Sequence, residues 1–260
     1  MKYYLDTEFL EGTQKTLFGK TKPTIDLISI GIVCNDEREY YAISKDFNLK
    51  EAWNRHDLVV DKLFPIGPEY NKSYWIRNNI LKPIFYEMYG KDINFHNIDS
   101  YFTYRNFKRL LNKYGKSNKQ IAAEIEYFTI GEYTDIDGEK IISPDRPNIK
   151  GNPQFYAYYA DYDWVVFCWL FGKMIDLPKG FPMYCIDLKQ TLDEKEYVIN
   201  NTDIYFSPLK IKDSESDNND NITKRYVLKS HVHYPKQINE HNALADARWN
   251  KQLHEFLNKL

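Results

Sequence analysis

Acidic residues occur at three places in the 260-residue sequence where their spacing favours the binding of divalent cations. The first is the pair Asp6 and Glu8, which a single residue separates within an apolar run. Residues two apart in a β-strand point to the same face, and two carboxylates on one face repel each other unless a cation lies between them. An exposed strand edge with two solvated acids is the alternative, but the apolar neighbours favour a central strand. We therefore expect Asp6 and Glu8 to bind metal.

The second place follows an aromatic strand pattern at residues 155–160, where a predicted helix over residues 161–170 begins. Acids at this point lie at the carboxyl edge of a sheet, where binding sites form. Asp161 is suited to cap the helix, whereas Asp163 would lie in its first turn and face the first strand. We therefore assign Asp163 to the site. The alternative is that both acids only interact with the helix dipole.

The third place contains His241 and Asp246. Five residues correspond to about 500° on an ideal helix, so the two side chains would point roughly 140° apart. They cannot share one helical face. We therefore place His241 in a loop, Asn242 at the N-cap, and the final helix from about Ala243 to the C-terminus, so that His241 can lie over a cation held by Asp246. A surface histidine is the alternative.

The elements that must position these acids follow from hydrophobic periodicity. We expect an antiparallel meander of strands at residues 2–9, 27–34 and 39–43. A helix over residues 116–128, with Ser117 as its N-cap, leads to the aromatic strand, and residues 182–186 predict a further strand. This order is typical of an α/β fold, a mixed sheet with helices on both faces, as in the ribonuclease H-like architecture.

Two stretches exceed that minimal plan. We interpret residues from about 85 to 114 and from about 193 to 229 as insertions in a single domain that spans residues 1–260. The second contains the acidic run 213–220, which is too polar to pack fully and predicts a mobile loop. Residues 129–147, with Asp137-Gly138 at their centre, predict a protruding β-hairpin.

Composition limits the partners and the cellular setting. A formal charge of −2 excludes the basic surface that grips long nucleic acid through many phosphates, so phosphate binding must be local. Cys34, Cys168 and Cys185 lie in apolar runs without C-x-x-C spacing, which indicates buried thiols rather than disulfides or a zinc knuckle. No signal peptide or membrane-spanning stretch is evident, so we expect a cytoplasmic protein without a membrane partner.

In chain order, the pattern Asp-x-Glu, then an Asp after an aromatic strand, then His-x4-Asp resembles the DEDDh 3′-5′ exonucleases. Several longer runs are similar to the RNase AS-type exoribonucleases, a branch described from mycobacteria as preferring adenylate-containing RNA. These runs are residues 4–9, 27–31, 74–81, 157–163, 181–183 and 241–247. The resemblance covers most of the chain except the two insertions.

This resemblance implies two Mg²⁺ or Mn²⁺ ions, held by the carboxylates of Asp6, Glu8, Asp163 and Asp246, with His241 as general base. It also implies a ribonuclease H-like fold, release of nucleoside 5′-monophosphates from the 3′ end of RNA, and a homodimer. A DNA or short-oligonucleotide exonuclease of the same chemistry is the main alternative. A catalytically idle nucleic-acid-binding domain is the alternative from another class.

Three apolar or aromatic residues are candidates for contact with the substrate. Phe9 and Leu10 follow Glu8 directly, so one of them could stack on the terminal base while the other wedges beside it. Core packing is the alternative for both, and especially for Leu10. Tyr162 precedes Asp163 and is the third candidate.

Overall fold

A computed structural model of the chain describes residues 1–15, 19, 21–64, 67–90, 98–134, 140–142, 152–201 and 227–260. The strands are β1 (Lys2–Lys15), β2 (Thr21–Cys34), β3 (Glu39–Ile43), β4 (Asp57–Phe64), β5 (Gly67–Ser73), β6 (Glu132–Thr134), β7 (Lys140–Ile142), β8 (Gln154–Ala157) and β9 (Ile186–Asp187). The α-helices are α1 (Leu49–Asn54), α2 (Lys82–Gly90), α3 (Tyr104–Tyr114), α4 (Asn118–Ile130), α5 (Ala160–Phe171), α6 (Leu188–Asn201) and α7 (Ala243–Leu257). A π-helical turn, Arg77–Leu81, leads into α2.

The central sheet has five strands in the order β3-β2-β1-β8-β9. Strands β1, β2 and β3 pair antiparallel, whereas β8 pairs parallel with β1 and with β9. Tyr3 and Leu5 of β1 pack with α4 and α5, while the intervening Tyr4 packs with α6 and α7. The alternation of side chains along β1 therefore places helices on both faces. The predicted mixed α/β sheet is confirmed, and it is consistent with the ribonuclease H-like architecture.

A further hydrophobic cluster covers the far end of β1. It combines Leu10 and Ile28 of the sheet with Phe85 of α2 and Phe107 of α3, all of which are buried. The described part of the first proposed insertion is therefore helical and contributes large aromatic side chains to the core. Of the second, α6 contains the first residues, and the acidic run 213–220 lies outside the described residues.

Two predicted strands differ from the observed ones. The predicted strand at residues 155–160 ends at Ala157, because Tyr159 adopts the left-handed conformation, with φ 58°, and turns the chain into α5. The predicted strand at residues 182–186 is reduced to Ile186–Asp187. Pro182 lacks a backbone N–H for a ladder, and β9 has only Tyr156 and Ala157 of the short β8 to pair with. Strands β1 and β2 extend beyond their predicted bounds.

The capping residue of α4 and the hairpin agree with the sequence predictions. Ser117 and Gln120 form a reciprocal capping box at the start of α4. Strands β6 and β7 pair antiparallel as the two arms of the predicted hairpin, whose central Asp137-Gly138 lies outside the described residues. Cys34 and Cys168 are buried, whereas Cys185 is half-buried. Among the described helices, none combines the length and the apolar composition that crossing a membrane requires.

Candidate active site

A cleft opens where β1 and β8 separate. Their parallel pairing ends at Tyr4 and Tyr156. Beyond this point, side chains form hydrogen bonds with backbone groups of β1 that a neighbouring strand would otherwise satisfy. The N–H of Thr7 donates to Asp163 Oδ1 at 2.9 Å. The carbonyl of Leu5 accepts from Asn250 Nδ2 at 2.9 Å. The carboxyl edge of the sheet thus opens without leaving these two backbone groups unpaired, at the position where α/β sheets form binding sites.

Gly31 lets α7 approach the sheet beside the first acidic pair. In the ladder Gly31 lies opposite Asp6, and a Cβ added to it would lie 2.3 Å from the carbonyl oxygen of Ala243. Any larger residue would therefore push the start of α7 away from β2. This close approach brings Asp246 to the acids of β1. Potential ligand atoms of Asp6, Glu8 and Asp246 all lie within 4.8 Å of one another.

Asp246 is fixed by the loop that precedes α7. Its Oδ1 accepts from Gln237 Nε2 at 2.6 Å, and its Oδ2 accepts from the backbone N–H of His241 at 2.9 Å. Asn242 caps the helix by accepting from the N–H of Ala245 at 3.0 Å. The predicted loop position of His241 and the predicted N-cap at Asn242 are therefore confirmed.

The ring of His241 lies at the wall of the cleft, edge-on to Trp75, with 4.8 Å between the ring centroids. Its backbone is left-handed, with φ 67°. This conformation is unfavourable for a residue with a side chain, and such strain clusters at functional sites. It presents the N–H of His241 to Asp246 and leaves the ring beside the cleft.

Asp163, and not Asp161, lies in the cleft. Asp163 is 5% exposed, and its Oδ1 accepts from both the N–H and the Oγ1 of Thr7, the latter at 2.5 Å. Asp161 is exposed, within the first turn of α5. Asp161 does not cap the helix, because α5 begins at Ala160 with Tyr159 at the N-cap position, and the N–H of Ala160 donates to Asp187. Oδ2 of Asp163 is the atom left for another partner.

The four carboxylates make the cleft strongly acidic. Burial raises the pKa of Glu8 to about 8 and that of Asp6 well above its usual range, and repulsion from the neighbouring carboxylates adds to both shifts. Burial also raises the pKa of Asp163 to about 7, although the hydrogen bonds from Thr7 act in the opposite direction. Burial likewise raises the pKa of Asp246. Within the described part of the chain, no lysine or arginine lines the cleft.

This donor set fits a hard divalent cation. Carboxylate oxygens are the ligands that Mg²⁺ and Mn²⁺ prefer, and a cation would relieve the repulsion that raises these pKa values. Asp6, Glu8 and Asp246 are grouped closely enough to hold one ion. Asp163 is not part of that group, so it would serve a neighbouring position.

Two of the three predicted substrate contacts lie at the cleft. Phe9 and Tyr162 stack on each other there, with 5.6 Å between ring centroids and 7° between ring planes, and Tyr162 is 49% exposed. Leu10 is fully buried under α2 and α3. The prediction of Leu10 as a substrate contact is therefore corrected in favour of core packing. The cleft has a volume of about 300 Å³.

Four further residues of the site were not identified from the sequence. They are Thr7, Trp75, Gln237 and Asn250. Only Asn250 had a usable signal, since it follows Asp246 by one helical turn and shares its face, whereas strand alternation would direct Thr7 away from the face of Asp6 and Glu8. Trp75 and Gln237 have no regular spacing from the acids that could have indicated them.

Two known proteins are similar to this chain in sequence. No protein-family model matches the chain. Two proteins of Mycobacterium tuberculosis, from strain CDC 1551 / Oshkosh and strain H37Rv, are each named a 3′-5′ exoribonuclease. Each is 25% identical to this chain over 195 residues, which cover 75% of this chain and 76% of the relative. Over three quarters of its length, the chain is therefore similar to proteins that carry that name.

Proposed function

We propose that the chain is a metal-dependent 3′-5′ exoribonuclease of the DEDDh type, which releases nucleoside 5′-monophosphates from the 3′ end of RNA. The observation that carries this proposal is the convergence of Asp6, Glu8, Asp163 and Asp246 on one cleft that no described lysine or arginine lines. The name of the two mycobacterial relatives supports RNA as the substrate.

Asp6, Glu8 and Asp246 would hold one Mg²⁺ or Mn²⁺, and Asp6 together with Oδ2 of Asp163 would support a second. When bound, such ions acidify a water molecule and stabilise the charge that develops in phosphoryl transfer. The chain's own contribution is to fix the carboxylates. Thr7 orients Asp163, while Gln237 and the backbone of His241 hold Asp246.

His241 would act as general base and accept the proton of the attacking water. Its backbone N–H is already used by Asp246, and Trp75 packs against its ring. Both contacts restrict where the imidazole can lie. The ring lies in the segment before α7 rather than on the helix, at the wall of the cleft, where it could accept a proton from a water molecule.

The aromatic pair and the size of the cleft support attack at a chain end. The exposed face of Tyr162 offers a surface on which a terminal base can stack, with Phe9 supporting it from behind. A volume of about 300 Å³ is at the small end of the range for ligand sites, and so suits a single terminal nucleotide. The formal charge of −2 agrees with few contacts to more distant phosphates.

Defined RNA and DNA oligomers that carry either a 3′ or a 5′ label, incubated with Mg²⁺, test this proposal. We expect labelled mononucleotide at once from 3′-labelled RNA, and a ladder of shortening products from 5′-labelled RNA. Chelation of the metal should stop both. Cleavage of DNA at an equal rate would contradict RNA as the specific substrate, and cleavage unaffected by chelation would contradict the metal mechanism. The expected homodimer can be tested on the same preparation by light scattering.

A further inference from the structure

Asn250 lies on α7 one turn after Asp246 and lines the acidic cleft. It is 1% exposed. Its Nδ2 donates to the carbonyl of Leu5, the residue immediately before Asp6. Its Oδ1 is buried and has no hydrogen-bond partner among the described residues. Only the amino group of the Asn250 side chain therefore has a hydrogen-bond partner. The side chain links α7, which carries Asp246, to β1, which carries Asp6.

The orientation of this amide is determined by its neighbour. A backbone carbonyl can only accept a hydrogen bond, so the amino group of Asn250 must face Leu5 and Oδ1 must face away from it. A buried acceptor without a donor costs about 1–3 kcal/mol. Once a cation is bound, the acids of the cleft are ionised, accept hydrogen bonds only and cannot satisfy it. Because Asn250 lines the cleft, a molecule bound there is the candidate for the missing donor.

We propose that Asn250 is a positioning residue of the cation site, whose Oδ1 accepts a hydrogen bond from a water molecule in the hydration shell of a bound divalent cation. This inference rests on the proposed function, because it requires a cation in the cleft. Mg²⁺ and Mn²⁺ keep several waters when carboxylates bind them, and each such water is a strong donor. Groups that hold these outer contacts typically change metal affinity by about 10- to 100-fold when removed.

Calorimetric titration with Mn²⁺ alone tests the inference on wild type and on Asn250→Ala, with Gln252→Ala as the matched control. Gln252 carries an amide on the same helix but is exposed and does not line the cleft. We expect Asn250→Ala to bind Mn²⁺ roughly tenfold or more weakly. The control should bind like wild type. Wild-type affinity in a folded Asn250→Ala variant would overturn the inference, because a purely structural amide would change thermal stability without changing metal affinity.

A crystal structure of the wild-type protein with Mn²⁺ provides a second test that does not depend on the folding of a variant. We expect an ordered water that coordinates the ion through its oxygen and lies within hydrogen-bond distance of Asn250 Oδ1. An occupied ion site without such a water would overturn the role of Asn250 and leave the proposed function intact. Absence of any Mn²⁺ binding by the wild-type chain would contradict the proposed function and this inference together.

Discussion

Replacing Gly31 by alanine perturbs the site without touching any of its acids. Gly31 lies opposite Asp6 in the ladder and beneath the first residues of α7. The new methyl group would lie 2.3 Å from the carbonyl oxygen of Ala243 and 2.4 Å from the Cα of Leu244. Both are backbone atoms, so no side-chain rotation can relieve the contact. The start of α7, which carries Asp246, must move.

The size of the effect follows from these distances. An ordinary contact begins near 3.4 Å, so α7 must move by about 1 Å relative to β2. Overpacking of this kind destabilises by roughly 1–3 kcal/mol. For a chain of this size each kcal/mol lowers the Tm by roughly 2–4 °C. A displacement of about 1 Å at a reacting centre can reduce the rate by roughly 10²-fold, so activity should fall far more than stability alone explains.

Thermal melting and single-turnover cleavage of 3′-labelled RNA, both with saturating Mg²⁺, measure the two effects. Gly12→Ala is the matched control, because it also lies in the central sheet but its Cβ would meet only the flexible carboxylate of Glu51, at 3.3 Å. The control should keep both its Tm and its rate. If Gly31→Ala also keeps both, close packing of α7 on Gly31 does not position Asp246, and that part of the account is wrong.

Three further predictions concern individual carboxylates and the base. Asp163→Asn should abolish turnover, whereas Asp161→Asn should retain most of it because that side chain is exposed; the reverse ranking in a steady-state assay would show that the wrong acid is assigned. Because the pKa of Glu8 is raised to about 8 and that of Asp163 to about 7, the metal-free protein should lose stability as pH rises from about 4 toward 8. The increase in Tm caused by Mn²⁺ should grow over the same pH window, because Mn²⁺ binds the ionised carboxylates. An increase in Tm that does not depend on pH would argue against metal binding by these groups. His241→Ala should reduce turnover by roughly 10²- to 10⁴-fold and leave Mn²⁺ affinity unchanged, since alanine keeps the backbone N–H that Asp246 accepts; a parallel loss of metal affinity would contradict the role of general base.

Local sequence patterns predicted the strands of the central sheet, the helices α4, α5 and α7, and the four acids of the cleft. Period-two spacing placed Asp6 and Glu8 together, and the angular argument placed His241 before α7 rather than on it. The capping residues Ser117 and Asn242 correctly marked the starts of α4 and α7, because each accepts a hydrogen bond from a backbone N–H three residues later. Each of these inferences uses interactions within a few residues, which is the range over which sequence determines backbone geometry most directly.

The remaining features depend on contacts between distant parts of the chain. Leu10 is buried because α2 and α3, more than 70 residues later, cover that end of β1. The strand before α5 ends early because Tyr159 turns left-handed and Asp187 accepts from the N–H of Ala160. The bond between Asn250 and Leu5 joins residues 245 positions apart. No local pattern contains that information.

Asp6 would contribute to both proposed cation positions, so metal-dependent exonuclease activity should require it. Release of nucleoside 5′-monophosphate from 3′-labelled RNA, followed as Mg²⁺ is titrated into wild type and Asp6→Asn at equal folded concentration, tests it most directly. Wild-type release should rise with Mg²⁺ to saturation, whereas Asp6→Asn should release no detectable mononucleotide at any Mg²⁺ concentration while remaining folded. Release by Asp6→Asn at the wild-type rate, or wild-type release without added metal, would contradict it.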